Sequence, residues 1–298
     1  MSGEERAVRA WLVGQGFRST EIRREKEFHD ISSILFFFMH PLARGCYKGE
    51  LNVCKWLYDN GAAEDITKTD HEGFTPMHWA CKGGHLSVCQ WLFEVGAAGD
   101  ITKTNYMGEC PLYNHEGFTP MHWACEGGHL SVCQWLFEVG ASGDITKANT
   151  HGWTPMYWAC YGSHLSVCQW LVLNGALNDP TTEHIGQALF EDAFTLEGSP
   201  GRFARSQLLP WARDMIDTHD TFLNVFLRAS VILPASQQHV HPSARCFLPR
   251  LHCAVLERVS WFAGVEVGRR VRNAREFKEA LEALEALDLE ESDDSDDN

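Results

Sequence analysis

Long apolar runs are missing from this 298-residue sequence: the longest, Ile34 to Met39, falls far short of the roughly 20 residues that a membrane-crossing helix needs. No membrane span is expected. The N-terminus opens acidic at Glu4 and Glu5 without a basic-then-apolar segment, and glycine stands at position 3 instead of 2. Neither a secretory signal nor myristoylation is expected from that pattern. Phosphate-cradling glycine loops and a nucleophile elbow are also lacking, so no enzyme, cofactor or small-molecule substrate is expected. Positive charge is scarce, with 25 Lys and Arg against 40 Asp and Glu and a formal charge of -15, which disfavours nonspecific nucleic-acid binding.

Cysteine is plentiful by contrast, and eight of the 11 recur in step with an internal repeat among helix-forming apolar residues. Such a pattern reads as buried, reduced thiols of a cytoplasmic or nuclear protein. The repeat itself is plain in Thr75-Pro76-Met77-His78-Trp79-Ala80-Cys81, again in Thr119 to Cys125, and again in Thr154 to Cys160. Segments 71–103 and 115–147 differ only at Lys82/Glu126 and Ala98/Ser142, which points to recent duplication.

Each copy continues as Gly/Ser-His-Leu-Ser-Val-Cys-Gln-Trp-Leu and closes on Gly-Ala, a pattern that closely resembles the ankyrin repeat. The local chemistry predicts the same helix-turn-helix layer. Thr75 caps a first helix, Pro76 suits its first turn, Gly83-Gly84 breaks it, and Gly96 closes a second. Leu86, Val88, Cys89, Trp91, Leu92 and Val95 spread over more than one face of that second helix, so stacking between layers must supply most of the stability. A degenerate first copy lies upstream, with Pro41, Cys46, Gly49, Cys54, Trp56 and Gly61 matching the second at an offset of 35. Residues 5 to 16 read as a capping helix, and Arg23 to His40 as an insertion.

The spacing from Thr75 to Thr119 is 44, because Tyr106 to Asn114 is inserted there, and this stretch is expected to loop outward without adding a layer. The expected fold is all-α: an ankyrin solenoid over residues 41–178 in about four repeats, preceded by 1–40 and followed by a 179–201 linker. A helical region over 202–287 and an acidic, disordered 288–298 tail complete the chain. The tail follows from nine acidic residues between Glu282 and Asp297.

Two chemical patterns compete with a purely structural reading. His78, Cys81, His85 and Cys89, echoed at His122, Cys125, His129 and Cys133, have the donor types of a zinc site. The fourth copy carries Tyr157, and the first Ala43 and Glu50, at histidine places while keeping both cysteines, so structural thiols are favoured and no metal is expected. The basic run Arg269 to Arg275 could be a nuclear address, a nucleic-acid contact or a solvated helix face, the last being favoured.

The resemblance implies a protein or peptide partner held on a concave surface made by the hairpin tips and first-helix faces. Its candidate contacts are Phe74, Phe118 and Trp153 before Thr-Pro, the tip histidines His71 and His115, and Lys82, Glu126 and Tyr161 beyond the Ala-Cys pair, in column with Tyr47. Exposed aromatics at such places favour binding anchors over rings packed on neighbouring hairpins, and truncating them is expected to cost the fold little. The leading expectation is a non-enzymatic interaction scaffold. Two others stand beside it: a ubiquitin-ligase adaptor docking through C-terminal helices, where Leu248 to Phe262 loosely resembles an F-box helix, and a decaying, purely structural repeat protein.

Overall fold

The computed structural model describes residues 2–18, 26–29, 36–70, 72–106, 117–176, 202–218, 269–279 and 282. The expected linker, the F-box-like segment, the acidic tail and almost all of the inserted loop lie outside these residues.

The first helix, α1 (Gly3–Gly14), is capped by Ser2, whose hydroxyl accepts from Glu5 N at 3.0 Å, and it buries Val8 and Leu12. It packs on α3 (Leu51–Leu57) of the first layer. A short antiparallel hairpin follows, β1 (Lys26–His29) against β2 (Phe36–Met39), with Lys26 opposite Met39 and His29 opposite Phe36. It occupies the stretch expected to be an insertion and is the strand pair among the described residues of an otherwise helical fold.

Four helix pairs succeed it: α2 (Pro41–Lys48) with α3, α4 (Pro76–Lys82) with α5 (Leu86–Leu92), α6 (Pro120–Glu126) with α7 (Leu130–Leu136), and α8 (Pro155–Tyr161) with α9 (Leu165–Leu173). The first helices stack in the order α2, α4, α6, α8, and α5 packs on α7 behind them. Proline opens every first helix, where its missing N–H costs nothing. The second helices end where Gly61, Gly96 and Gly140 take φ of 119°, 122° and 126°, a left-handed conformation that a β-carbon would strain.

Between the layers the core is built from Met77, Met121 and Met156, Leu92 and Leu136, the alanines Ala80, Ala124 and Ala159, and the eight repeat cysteines, all buried. Among the described residues this unit runs through Cys168, and a second unit comprises 169–176, 202–218, 269–279 and 282. Within the second unit, the buried residues Ala204, Leu208, Ala212 and Ile216 recur every fourth position along a helical stretch. Also within it, Asn273 Nδ2 donates to Leu173 O at 3.0 Å, and Arg213 pairs with Glu282 at 2.7 Å.

Candidate functional site: the first-helix face

Each histidine of the repeat motif is tied to backbone. Thr75 N donates to His78 Nδ1 at 3.1 Å, which leaves the proton on Nε2, and that nitrogen donates to Lys103 O at 2.9 Å in the next hairpin. His122 repeats the arrangement with Thr119 N at 3.2 Å and Trp153 O at 3.3 Å. Burial pushes the imidazole of His78 down to about 4 and that of His122 to about 3, so both are neutral near pH 7. The second histidine of each motif reaches back one layer: His85, His129 and His164 donate to Tyr47 O, Lys82 O and Glu126 O at 3.1, 3.1 and 2.8 Å. With these ring nitrogens engaged by the fold, the histidines staple layers together.

The thiols sit in pairs, Cys46 with Cys54 at 3.8 Å and Cys81 with Cys89, Cys125 with Cys133 and Cys160 with Cys168 at 3.7 Å. That separation is a van der Waals contact, not a disulfide of about 2.05 Å. Burial is the main force raising the thiols of Cys46, Cys81 and Cys125, and the bond to Cys168 raises that of Cys160. They fill the seam between the two helices of each layer.

The hairpins are anchored by a residue that the sequence pattern did not single out. Asp70 Oδ1 accepts from Glu72 N at 3.0 Å and Phe74 N at 2.9 Å, while its Oδ2 accepts from Trp79 Nε1 at 3.1 Å. Asn149 does the same for His151 N and Trp153 N at 3.0 and 2.9 Å. In the third layer Asn105 Oδ1 accepts from Phe118 N at 2.7 Å, and Asn105 N donates to Phe118 O at 3.0 Å. The inserted residues therefore leave and rejoin the fold at the same hydrogen-bonded pair that closes the uninterrupted hairpins. A side-chain acceptor five residues before Thr75 and Thr154 was the available signal; at Thr119 the insertion displaces it in sequence.

Residues 42–93 match the family model for ankyrin repeats in many copies, and residues 100–182 match the model for ankyrin repeats in three copies. Residues 42–182 are an array of ankyrin repeats. No curated protein matches it. Ankyrin repeats are protein-interaction modules, generally without enzymatic activity.

On that surface the expected aromatic column is not what the ankyrin array displays. Phe74 and Phe118 are 2% and 0% exposed and belong to the core. Phe74 lies 5.2 Å from the ring of Trp79 and 5.4 Å from Trp123, and Phe118 lies 5.1 Å from Trp123 and 5.0 Å from Trp158, all edge-to-face. The reason is the tryptophan before Ala-Cys in the following layer: Trp123 covers the Phe74 ring of the hairpin before it, and Trp158 covers Phe118. Truncating Phe74 or Phe118 thus strikes the fold. Trp153 differs, being part-exposed and stacked on Tyr157 at 5.0 Å. His71 and His115 lie outside the residues whose surroundings are described.

The column at the ends of the first helices is accessible. Lys82 and Glu126 are part-exposed and Tyr161 is 55% exposed. Arg44 and Lys48 lie 5.6 and 5.5 Å from the Tyr47 ring, and the Lys82 ammonium sits 4.1 Å over Trp123 and 5.7 Å from Trp79. Nearby, burial and the Asp70 charge push the Glu72 carboxyl up to about 7, against the lowering effect of Lys82. In the fourth layer Tyr157 stacks on Tyr161 at 6.4 Å, which extends the Trp153 stack along the helix. Among the described residues no helix is long and apolar enough to cross a membrane.

Proposed function

We propose that this ankyrin array is a non-enzymatic scaffold that holds a protein or peptide on its first-helix face, the concave side of such arrays. The observation that carries this is the contrast between framework and column. Thr, Pro, Met, Trp, Ala and Cys recur through the second to fourth copies, while the accessible place after Ala-Cys reads Tyr47, Lys82, Glu126, Tyr161. Of the two differences between the duplicated copies, one falls at this place. A framework kept constant beneath a column of changing chemistry is what a surface read by a partner requires, since fold residues supply shape and surface residues supply specificity. Cytoplasm or nucleus is the proposed setting, in keeping with eight reduced thiols in the core.

Position-specific cross-linking tests the reading. A photo-reactive residue replacing Lys82 is expected to capture a discrete partner in cells. The same residue at Gln90, exposed on the second helix, serves as the control. Equal capture from both positions, or capture from Gln90 alone, would place recognition elsewhere.

A further inference from the structure

The fourth layer departs from the second and third at one place in its first helix. His78 and His122 each engage the threonine before them and the backbone of the next hairpin, whereas the fourth copy has Tyr157 there. Thr154 Oγ1, the partner such a histidine would take, is buried without a hydrogen bond. This layer gives up a staple and displays a part-exposed ring instead. A local departure from an otherwise constant framework is what a functional position shows.

Tyr157 joins Trp153 and Tyr161 in a stack, with interplanar angles of 13° and 20° and centroid steps of 5.0 and 6.4 Å. His151 closes one end, tilted against Trp153 at 5.3 Å, while Tyr161 at the other end is 55% exposed. Because the rings face one another, their edges and polar tips are what they offer a partner. Among the described residues the Trp153 indole N–H and the hydroxyls of Tyr157 and Tyr161 make no hydrogen bond. Burial, and then the neighbouring Tyr161, raise the Tyr157 hydroxyl above its usual range, so it keeps its proton and donates. Asp, Glu, Lys and Arg are absent from the whole stretch Ala148 to Asn178.

A strip of ring edges and donors without charge suits a ligand that brings apolar surface, an excess of acceptors and no charge to desolvate. A proline-rich segment meets all three conditions. Proline has an apolar ring and no N–H, and the polyproline II helix leaves every carbonyl without an internal partner. One turn of that helix advances roughly 9 Å, so the two ring steps cover about one turn. A nucleic-acid base also stacks on such rings, but a chain of charge -15 with no Lys or Arg in this layer repels phosphate.

We propose that the partner is an uncharged, proline-rich peptide segment in the polyproline II form, docked on the Trp153–Tyr157–Tyr161 strip with its carbonyls accepting from the indole N–H and the hydroxyls. This inference rests on the first-helix face being the binding surface. It adds the chemistry of what is bound.

The test is to select a random dodecapeptide display library on the full chain and to synthesise the recovered peptides as fluorescent probes. The expected peptides are rich in proline, and exchanging their contact prolines for alanine lowers affinity about tenfold. Exchange for N-methylalanine, which likewise has no N–H, keeps affinity within about threefold. Tyr161→Ala is expected to weaken binding about tenfold, and Tyr161→Phe, which removes only the hydroxyl of an exposed ring and serves if the first variant does not fold, about threefold. Peptides without proline, or peptides that bind Tyr161→Ala within about twofold of the parent, overturn the proline seat. So does a labelled dodecauridylate that binds more tightly than every recovered peptide and is lost on Tyr161→Ala, which marks a stacked base. If proline-free peptides cross-link from position 82, the scaffold reading survives. Peptides that cross-link from position 90 instead, or a selection that recovers none, overturn both.

Discussion

Phe118→Ala is the substitution that most directly separates core from surface among the aromatics of the hairpins. The ring is fully buried in the third layer, edge-to-face with Trp123 and Trp158 at 5.1 and 5.0 Å and stacked on His122 at 4.9 Å. Withdrawing a side chain of this size from water contributes about 2–3 kcal/mol. The two edge-to-face pairs add about 0.5–1.5 kcal/mol each. The sum, about 3–6 kcal/mol, agrees with the roughly 3–5 kcal/mol typical of Phe→Ala in a core. Its position between two layers makes the loss larger than at an array end, because stability in a solenoid resides in interfaces between neighbours. Urea unfolding followed by circular dichroism, with Tyr161→Ala as an exposed control expected within about 0.5 kcal/mol of the parent, measures it. A loss below about 1 kcal/mol for Phe118→Ala, or one no larger than the control, would refute the packing argument.

Two further outcomes follow from the buried groups. Since burial holds His78 at about 4 and His122 at about 3, their imidazole resonances should not titrate between about pH 8 and 5, and a native inflection near 6.5 would overturn the assignment. Unfolded histidine protonates near 6.5, so the stability these residues contribute is complete above about 6.5 and is lost as pH falls toward 4 and then 3. Glu72, raised to about 7, works in the opposite sense, its contribution being lost as pH rises from about 4.5 to 7. The eight buried cysteines should resist a maleimide in the native state and label on denaturation, as read by peptide mass mapping; rapid native labelling of Cys81 or Cys125 would contradict their burial.

Much of this molecule is set by local sequence. Proline at the first helical turn, glycine where φ must be positive, and the recurring apolar positions each act within a few residues, so the helix pairs and their order are legible from the repeat alone. The same holds for the histidine staples as a fold role, because the cysteines persist where the histidines do not. What local pattern cannot carry is the direction in which a hairpin ring points. Phe74, Phe118 and Trp153 share one sequence place, yet two are core and one is part-exposed. The difference arises from whether the neighbouring layer brings an indole against them, a contact between residues tens of positions apart. The Asn105 anchor is likewise invisible along the chain, since the insertion separates it from Phe118, and only the closed hairpin restores the pair. So the sequence by itself determined the layers, because their signals are local. The tertiary structure decided which aromatics remain for a partner, because that depends on what the next layer covers.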